Sequence, residues 1–145
     1  MTEAQSKSPV SNPQASALER GRAYCAKYHP HLEAALSERY DAKVPDFSES
    51  LIEWAYGRHY SRPGLDAKTR QLATIAALTA LGGQTEPQLR INIEHSLAAG
   101  CSEQEILEII WQMSVYGGLP AAINGLNVAL EFFSQTQEEG MAPEE

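Results

Sequence analysis

The chain has 145 residues, of which 11 are basic and 19 acidic, giving a formal net charge of −8. This length is typical of a single domain with a buried core, and the acidic balance argues against a nucleic-acid partner. Because there is no apolar signal segment and no run of about 18 apolar residues, we expect a soluble cytoplasmic protein without a membrane partner. Cys25 and Cys101 form no CxxC pair and are predicted to be free thiols.

The first part of the chain predicts a tail followed by three helices. Residues 1–16 are rich in Ser, Pro, Gln and Asn and are predicted to be a disordered tail. The three helices are predicted over residues 17–29, 31–40 and 49–60. The first ends before Pro30, and Ser48 is the predicted N-cap of the third. A turn at Pro63–Gly64 follows.

Four longer helices are predicted next, joined at glycines. They cover residues 67–81, 86–99, 103–116 and 120–134. Thr85-x-x-Gln88 and Ser102-x-x-Glu105 have the form of capping boxes, which place the starts of the second and third of these helices. No segment alternates with a period of two, so the predicted class is all-α.

The C-terminal half is unusually apolar for a small monomer. No charged residue lies in 72–83 or in 111–130. A helix that is apolar on all sides is buried, so these segments predict a packed helical core that subunits share. We expect one helical domain over residues 17–135 and an acidic C-terminal tail over residues 136–145.

A polar stripe on the helix at 86–99 is the first candidate for a functional site. Gln88, Asn92 and His95 lie on one side of this helix, at positions i, i+4 and i+7. Polar groups that become buried find partners in the core, across a subunit interface or on a ligand. A helical histidine is often structural, but a histidine and an amide that face one space can hold and protonate a carbonyl or an enolate.

Three segments together resemble the carboxymuconolactone decarboxylase family over about residues 48–133. They read RPGL-D-x-K-x-R, AAG-x-S-x-x-EI and VYGG-x-P-A-A-x-N. The resemblance implies an all-α, alkylhydroperoxidase D-like bundle of six to seven helices. It also implies a homo-oligomer, a hexamer built as a trimer of dimers.

The peroxidase-like branch of this superfamily has a CxxC pair followed by a histidine, with a glutamate on the preceding helix. Here the cysteine positions hold Thr85 and Gln88, the histidine position falls at Asn92, and the glutamate position falls near Gln71. A thiol peroxidase needs a reactive thiolate and a resolving thiol. The alternative of a peroxiredoxin-like alkylhydroperoxidase therefore lacks its redox groups.

The decarboxylase branch is the better match. It implies a cofactor-independent carboxy-lyase that takes a small anionic substrate of aromatic-acid breakdown, 4-carboxymuconolactone, without a metal. That branch usually has a histidine where this chain has Asn92. We therefore assign His95, one turn later, as candidate general acid and Asn92 as its polar partner. The alternative is a non-catalytic, oligomeric small-molecule-binding protein of the same fold, in which the catalytic group has been lost.

Three further residues are candidates for substrate binding. Arginine is the natural anchor for a carboxylate. Arg70 lies in the family's D-x-K-x-R segment and Arg90 on the helix of His95, although a structural ion pair and a solvated side chain are the respective alternatives. Tyr116 of the VYGG segment is a candidate for placing its hydroxyl in a pocket, with a core aromatic as the alternative.

Overall fold

The structure, a computed structural model, describes residues 14–141, which contain seven α-helices and no strand. This confirms the predicted all-α class and helix number. The chain divides into two compact units, 1–66 and 67–145, and the single domain over 17–135 stays a prediction. Residues 1–13 of the predicted N-terminal tail and residues 142–145 of the predicted C-terminal tail lie outside the described residues. No helix within residues 14–141 combines the length and the apolarity needed to cross a membrane.

The described part of the N-terminal unit has three α-helices, of which the second and third continue as π-helical segments. Its α-helices are α1 (Ala17–Tyr28), α2 (Leu32–Leu36) and α3 (Phe47–Leu51). The π-helical segment Ser37–Asp41 follows α2, and the segment Ile52–Tyr60 follows α3. The start of α1 is as predicted, but Ser16, which we placed in the tail, is its N-cap and accepts a hydrogen bond from Glu19 N at 3.1 Å.

Glycine allows α1 to pack directly on the π-helical segment Ile52–Tyr60. A Cβ atom at Gly21 would overlap the carbonyl oxygen of Ile52, and one at Gly57 would overlap that of Ala17. Backbone therefore meets backbone on both sides of this contact, and the aromatic side chains pack beside it. Tyr24 of α1 stacks on Tyr56 with ring centroids 5.8 Å apart.

The predicted cap of the third helix is wrong. Helix α3 begins at Phe47, after Asp46 in the left-handed conformation (φ 64°), and Ser48 lies inside its first turn. The carboxylate of Asp41 accepts from Ser48 N at 2.9 Å and from Ser48 Oγ at 2.6 Å. A carboxylate seven residues upstream thus satisfies the helix start in place of the serine hydroxyl, because a charged acceptor is stronger than a neutral one.

The C-terminal unit contains four longer helices. They are α4 (Ala67–Leu81), α5 (Glu86–Ala98), α6 (Glu103–Gln112) and α7 (Leu119–Met141). The first two are close to prediction, whereas α6 ends four residues before the predicted Tyr116. Helix α7 continues through Met141, well beyond the predicted end near Ser134, so residues 136–141 are helical where we expected the tail.

One of the two predicted capping boxes is present. Ser102 Oγ accepts from Glu105 N at 3.0 Å, and Glu105 Oε1 accepts from Ser102 N at 3.0 Å. Thr85 makes no capping bond, contrary to prediction. Its hydroxyl instead donates to the carbonyl oxygens of Leu78 at 2.5 Å and Gly82 at 2.9 Å, because the tight turn after α4 brings both oxygens within reach.

The core of the C-terminal unit is mainly aliphatic. All four helices contribute to one buried cluster, whose members are Ile75, Leu89, Ile93, Cys101, Ile106, Ile110, Ala129, Phe132 and Phe133. Each fully buried isoleucine is worth about 1.5–3 kcal/mol relative to exposure. Helix α5 packs against α4 and α7, which holds its polar stripe in a fixed place.

Candidate functional site

The polar stripe on α5 passes from the surface into the interior. Gln88 is exposed, Asn92 is half-buried and His95 is buried, with 7% of its surface accessible. Pro87 lies in the first turn of α5, where a backbone N–H would have no acceptor within the helix. The proline therefore does not disturb the helix, and the stripe begins on regular helix. The imidazole is thus the inner end of a line of polar groups that begins at the surface.

The middle of the stripe is tied to its own helix. Asn92 Nδ2 donates to the carbonyl oxygen of Gln88 at 2.9 Å, and Ser96 Oγ donates to the carbonyl oxygen of Asn92 at 2.6 Å. The first bond ties the side-chain amide of Asn92 to the preceding turn, and the second ties Ser96 to the backbone of Asn92. The predicted pair of His95 and Asn92 therefore shares one helix face, one turn apart.

The two candidate arginines have different surroundings. Arg90 is half-buried; its Nη2 donates to Gln135 Oε1 on α7, and its guanidinium lies 5.3 Å from the ring centroid of Phe132. Arg90 therefore takes part in the packing of α5 on α7. Arg70 is half-buried in the first turns of α4, and its carbonyl oxygen accepts from Thr74 Oγ1 at 3.0 Å.

Tyr116 lies outside any enclosed space of its own unit. It follows α6 in the turn that leads to α7, and 78% of its surface is accessible. Within one chain its hydroxyl therefore meets solvent. A role for Tyr116 in substrate binding would require a neighbouring subunit to cover it.

A buried amide on α4 was not among the predicted site residues. Gln71 has no accessible surface, and neither its Nε2 nor its Oε1 has a hydrogen-bond partner among the described residues. Two sequence signals marked this position: Gln71 lies near the glutamate position of the peroxidase-like branch, and it directly precedes the uncharged run 72–83. Burial of an amide without a partner costs about 1–3 kcal/mol, which makes the position notable.

The N-terminal unit has an open groove of about 530 Å³ that contains none of the predicted site residues. Arg22 on its wall pairs with Glu33 at 2.9 Å and reaches Glu49 at 3.9 Å. The side-chain and backbone hydrogen bonds from Ser48 hold the pKa of Asp41 below its usual range, so this carboxyl is ionised at neutral pH. The polar groups of the groove satisfy one another, which is typical of structure rather than of catalysis.

The same unit buries titratable groups in their neutral forms. Burial lowers the pKa of His29 to about 4 and raises the pKa of Cys25 to about 12. Burial likewise raises the pKa of Tyr56, on which His29 packs edge-on with ring centroids 5.6 Å apart. A thiol that stays protonated is a poor nucleophile, so Cys25 is not suited to peroxide chemistry. The other thiol, Cys101, is buried and donates to the carbonyl oxygen of Lys68 at 3.7 Å.

Comparison with known proteins gives a consistent set of relatives. An uncharacterized 15.0 kDa protein from the nqo9–nqo10 intergenic region of Paracoccus denitrificans is 39% identical over 122 residues, which are 84% of this chain and 91% of the relative. The 4-carboxymuconolactone decarboxylase of Acinetobacter baylyi is 39% identical over 99 residues, or 68% of this chain and 70% of that enzyme. The nitrosuccinic acid decarboxylase of Metarhizium robertsii is 30% identical over 92 residues, or 63% of each chain.

The match to a family model covers the helices that carry the stripe. The model described as the carboxymuconolactone decarboxylase family matches residues 45–131, a range that includes all five predicted site residues. It begins before α3 and ends within α7, and so spans the whole of α4, α5 and α6. The chain therefore belongs to the carboxymuconolactone decarboxylase family.

Proposed function

We propose that the protein is a cofactor-independent decarboxylase that acts on a small carboxylated lactone, with 4-carboxymuconolactone as the first candidate. Family membership and two relatives named as decarboxylases support this assignment. The observation that carries it is the buried imidazole of His95 at the inner end of the α5 stripe. The protein would act in the cytoplasm, in the breakdown of aromatic compounds.

The proposed reaction breaks one carbon–carbon bond and moves one proton, and it uses the side chains of His95 and Asn92. The bond between the ring carbon and the carboxylate breaks, and its electron pair moves through the conjugated double bond onto the lactone carbonyl oxygen. CO₂ leaves, and His95 as imidazolium donates its proton to the ring carbon α to the lactone carbonyl. The carbonyl re-forms and the double bond remains at the carbon that carried the carboxylate, which gives the enol-lactone. Solvent then reprotonates the imidazole. Asn92, one turn away, contributes a polar contact to the substrate.

The substrate carboxylate requires a cationic partner, because the net charge of the protein opposes an anion. Arg70 is the first candidate for this anchor because it lies in the family's D-x-K-x-R segment. Arg90 donates to Gln135 and packs over Phe132. Arg90 would have to leave those contacts to bind substrate. Tyr116 is assigned to substrate binding only through a neighbouring subunit, because its side chain is exposed in the single chain.

We propose that the protein is a homohexamer, arranged as a trimer of dimers. Within the uncharged run 111–130 many large apolar side chains are exposed, namely Trp111, Val115, Tyr116, Leu119, Ile123 and Leu130. So many exposed large apolar side chains within twenty residues are typical of a subunit interface. Burial of these side chains between subunits would remove them from water and stabilise the assembly.

Turnover measurements with two substrates test the function. The purified protein is incubated separately with 4-carboxymuconolactone and with nitrosuccinic acid, and lactone absorbance and released CO₂ are followed. We expect one CO₂ per lactone consumed, and much slower release from nitrosuccinic acid. No CO₂ from either compound, with a folded protein, would contradict the proposal.

The presence of Asn92 where the decarboxylase branch has a histidine favours one alternative, a non-catalytic binder of the same fold. Such a protein would bind 4-carboxymuconolactone and leave it intact. Calorimetric titration beside the CO₂ assay separates binding with turnover from binding alone.

A further inference from the structure

Gln71 is a buried polar side chain that has no role in the proposed reaction as described so far. It has no accessible surface, and both polar atoms of its amide lack a protein partner among the described residues. Buried polar groups are almost always hydrogen-bonded, to protein, to water or to a ligand. The amide of Gln71 therefore points to something that the chain itself does not supply.

Helix α4, which carries Gln71, packs on α5, which carries His95. Two further contacts tie α4 to residues that flank α5. Thr85 Oγ1 donates to the carbonyl oxygen of Leu78 near the connecting turn, and Cys101 Sγ donates to that of Lys68 at the far end. Each of the two packed helices thus buries a polar side chain, Gln71 on α4 and His95 on α5.

The buried hydroxyls of α4 and α5 donate within their own helices. Ser96 Oγ donates to the carbonyl oxygen of Asn92, and Thr79 Oγ1 donates to that of Ile75. Since the described residues offer no acceptor to Gln71 Nε2, its acceptor is either a ligand carbonyl or an ordered water. The experiments below distinguish the two.

We propose that Gln71 belongs to the binding site, and that its Nε2 donates a hydrogen bond to the ring carbonyl oxygen of a lactone substrate. This inference rests on the proposed function. A neutral amide suits a neutral carbonyl, whose oxygen gains negative charge as CO₂ leaves and then accepts the bond more strongly. Gln71 thereby selects for a ring carbonyl, while the carboxylate is held elsewhere.

Binding of two unreactive probes tests the role of the amide. The first is 5-oxotetrahydrofuran-2-carboxylic acid, a saturated lactone acid that lacks the conjugated double bond needed for decarboxylation. The second is cyclopentanecarboxylic acid, which keeps the five-membered ring and the carboxylate but has no ring carbonyl. Affinities are measured by calorimetry for the wild type, for Gln71→Met and for Gln104→Met, a matched change at an exposed glutamine of α6.

We expect Gln71→Met to weaken binding of the lactone acid by about 5- to 150-fold, the usual worth of one buried hydrogen bond. Binding of cyclopentanecarboxylic acid should change by less than about twofold, and Gln104→Met should affect neither probe. The melting temperature of Gln71→Met should equal or exceed that of the wild type, because the change removes a buried amide without a protein partner.

Side-chain amide signals give a second readout. In ¹⁵N-labelled protein the Nε2 signals of Gln71, assigned by their loss in Gln71→Met, should shift saturably with the lactone acid and remain unmoved by cyclopentanecarboxylic acid. Signals that do not respond to the lactone acid would show that the amide holds an ordered water only, which overturns the inference. Equal affinity of wild type and Gln71→Met for the lactone acid, or no binding of it to the wild type, would overturn it too.

The two proposals fail separately. If the wild type releases no CO₂ but binds the lactone acid selectively through Gln71, the decarboxylase function is contradicted and the proposed role of Gln71 in binding stands. Normal CO₂ release with kcat and KM unchanged in Gln71→Met would contradict the role of Gln71 and leave the function intact.

Discussion

The two units bury polar groups in different ways. In the N-terminal unit buried His29 lies among tyrosine rings, and the charged residues of the groove pair with each other. In the C-terminal unit the core is aliphatic, yet it contains Gln71 and His95. The family match includes all of α4, α5 and α6 but only the last part of the N-terminal unit.

This difference indicates where chemistry can occur. Electrostatic interactions are stronger in a dry aliphatic environment than in water, so an oriented imidazole or amide there acts strongly on a bound substrate. The N-terminal unit offers a thiol and an imidazole held in their neutral forms and a groove of mutually paired charges. We therefore propose that catalysis takes place in the C-terminal unit and that the buried polar groups of the N-terminal unit are structural.

After His95, which the closing measurement tests, the largest effect is expected at Asn92. Its replacement by alanine should lower kcat for 4-carboxymuconolactone by about 5- to 150-fold, which corresponds to one oriented hydrogen bond in a partly dry site. Steady-state kinetics measure the change, and Asn127→Ala, at an exposed asparagine of α7, is the matched control. Equal rates for the two variants would remove Asn92 from the site.

Two tryptophans test the apolar surface. Trp111 is 52% accessible in the C-terminal unit and Trp54 is 64% accessible in the N-terminal unit. In light scattering the wild type should have about six times the 15.9 kDa mass of one chain. Trp111→Glu should lower that mass by at least twofold, because a buried carboxylate is costly at an interface. Trp54→Glu should leave it unchanged, and the reverse pattern would place the interface on the other unit.

Acid should weaken the protein through His29. Its folded-state pKa of about 4 lies below the ordinary value of 6.5, so the unfolded chain binds more protons between these values. This contribution to stability is complete above about pH 6.5 and is lost as the pH falls toward 4. Urea unfolding at pH 7 and pH 4.5 should show a loss for the wild type that exceeds the loss for His29→Phe by about 2 kcal/mol.

Exposed His31 supplies the control for this acid effect, since His31→Phe should retain the full pH dependence. Asp41 and Glu105, whose pKa values are lowered by hydrogen bonds, also lose stabilising interactions in acid. They are present in every variant, so the difference between variants reports His29. A pH dependence that survives His29→Phe unchanged would contradict its burial as a neutral group.

The smallest effect is expected at the cysteines. Changing both Cys25 and Cys101 to serine should leave kcat within about threefold of the wild type, because both thiols are buried and Cys25 is held protonated. Steady-state kinetics measure the change in kcat, and circular dichroism gives the amount of folded protein to which the rates are normalised. A hundredfold loss with an intact fold would show that a thiol takes part in the reaction.

Local signals in the sequence were sufficient for most of the fold. Helix α4 begins and ends as predicted, and the capping box at Ser102 is present, because each depends on residues within one or two turns. The predictions were wrong where residues distant in the sequence determine the local structure. The carboxylate of Asp41 takes the place of the Ser48 cap. After α6 the chain turns so that Gly117 meets the backbone of Ala80, leaving no room for a Cβ atom.

The candidate site could be predicted only in part for the same reason. Helical spacing placed Asn92 and His95 on one face, and the structure adds that only the histidine is buried. Spacing could not reveal that Arg90 contacts Gln135, which lies 45 residues away in the chain. Nor could it reveal that Gln71 is buried without a protein partner, because burial depends on how α4 packs on the other helices.

One parallel measurement tests the central assignment of chemistry to the C-terminal unit. CO₂ release from 4-carboxymuconolactone is measured for the wild type, His95→Gln and His29→Phe, with melting temperatures recorded so that rates refer to folded protein. We predict that His95→Gln lowers kcat by about 10²- to 10⁴-fold, the usual worth of a positioned acid, while His29→Phe stays within about threefold. A His95→Gln protein that keeps its kcat per folded molecule, or a comparable loss in His29→Phe, would contradict the account.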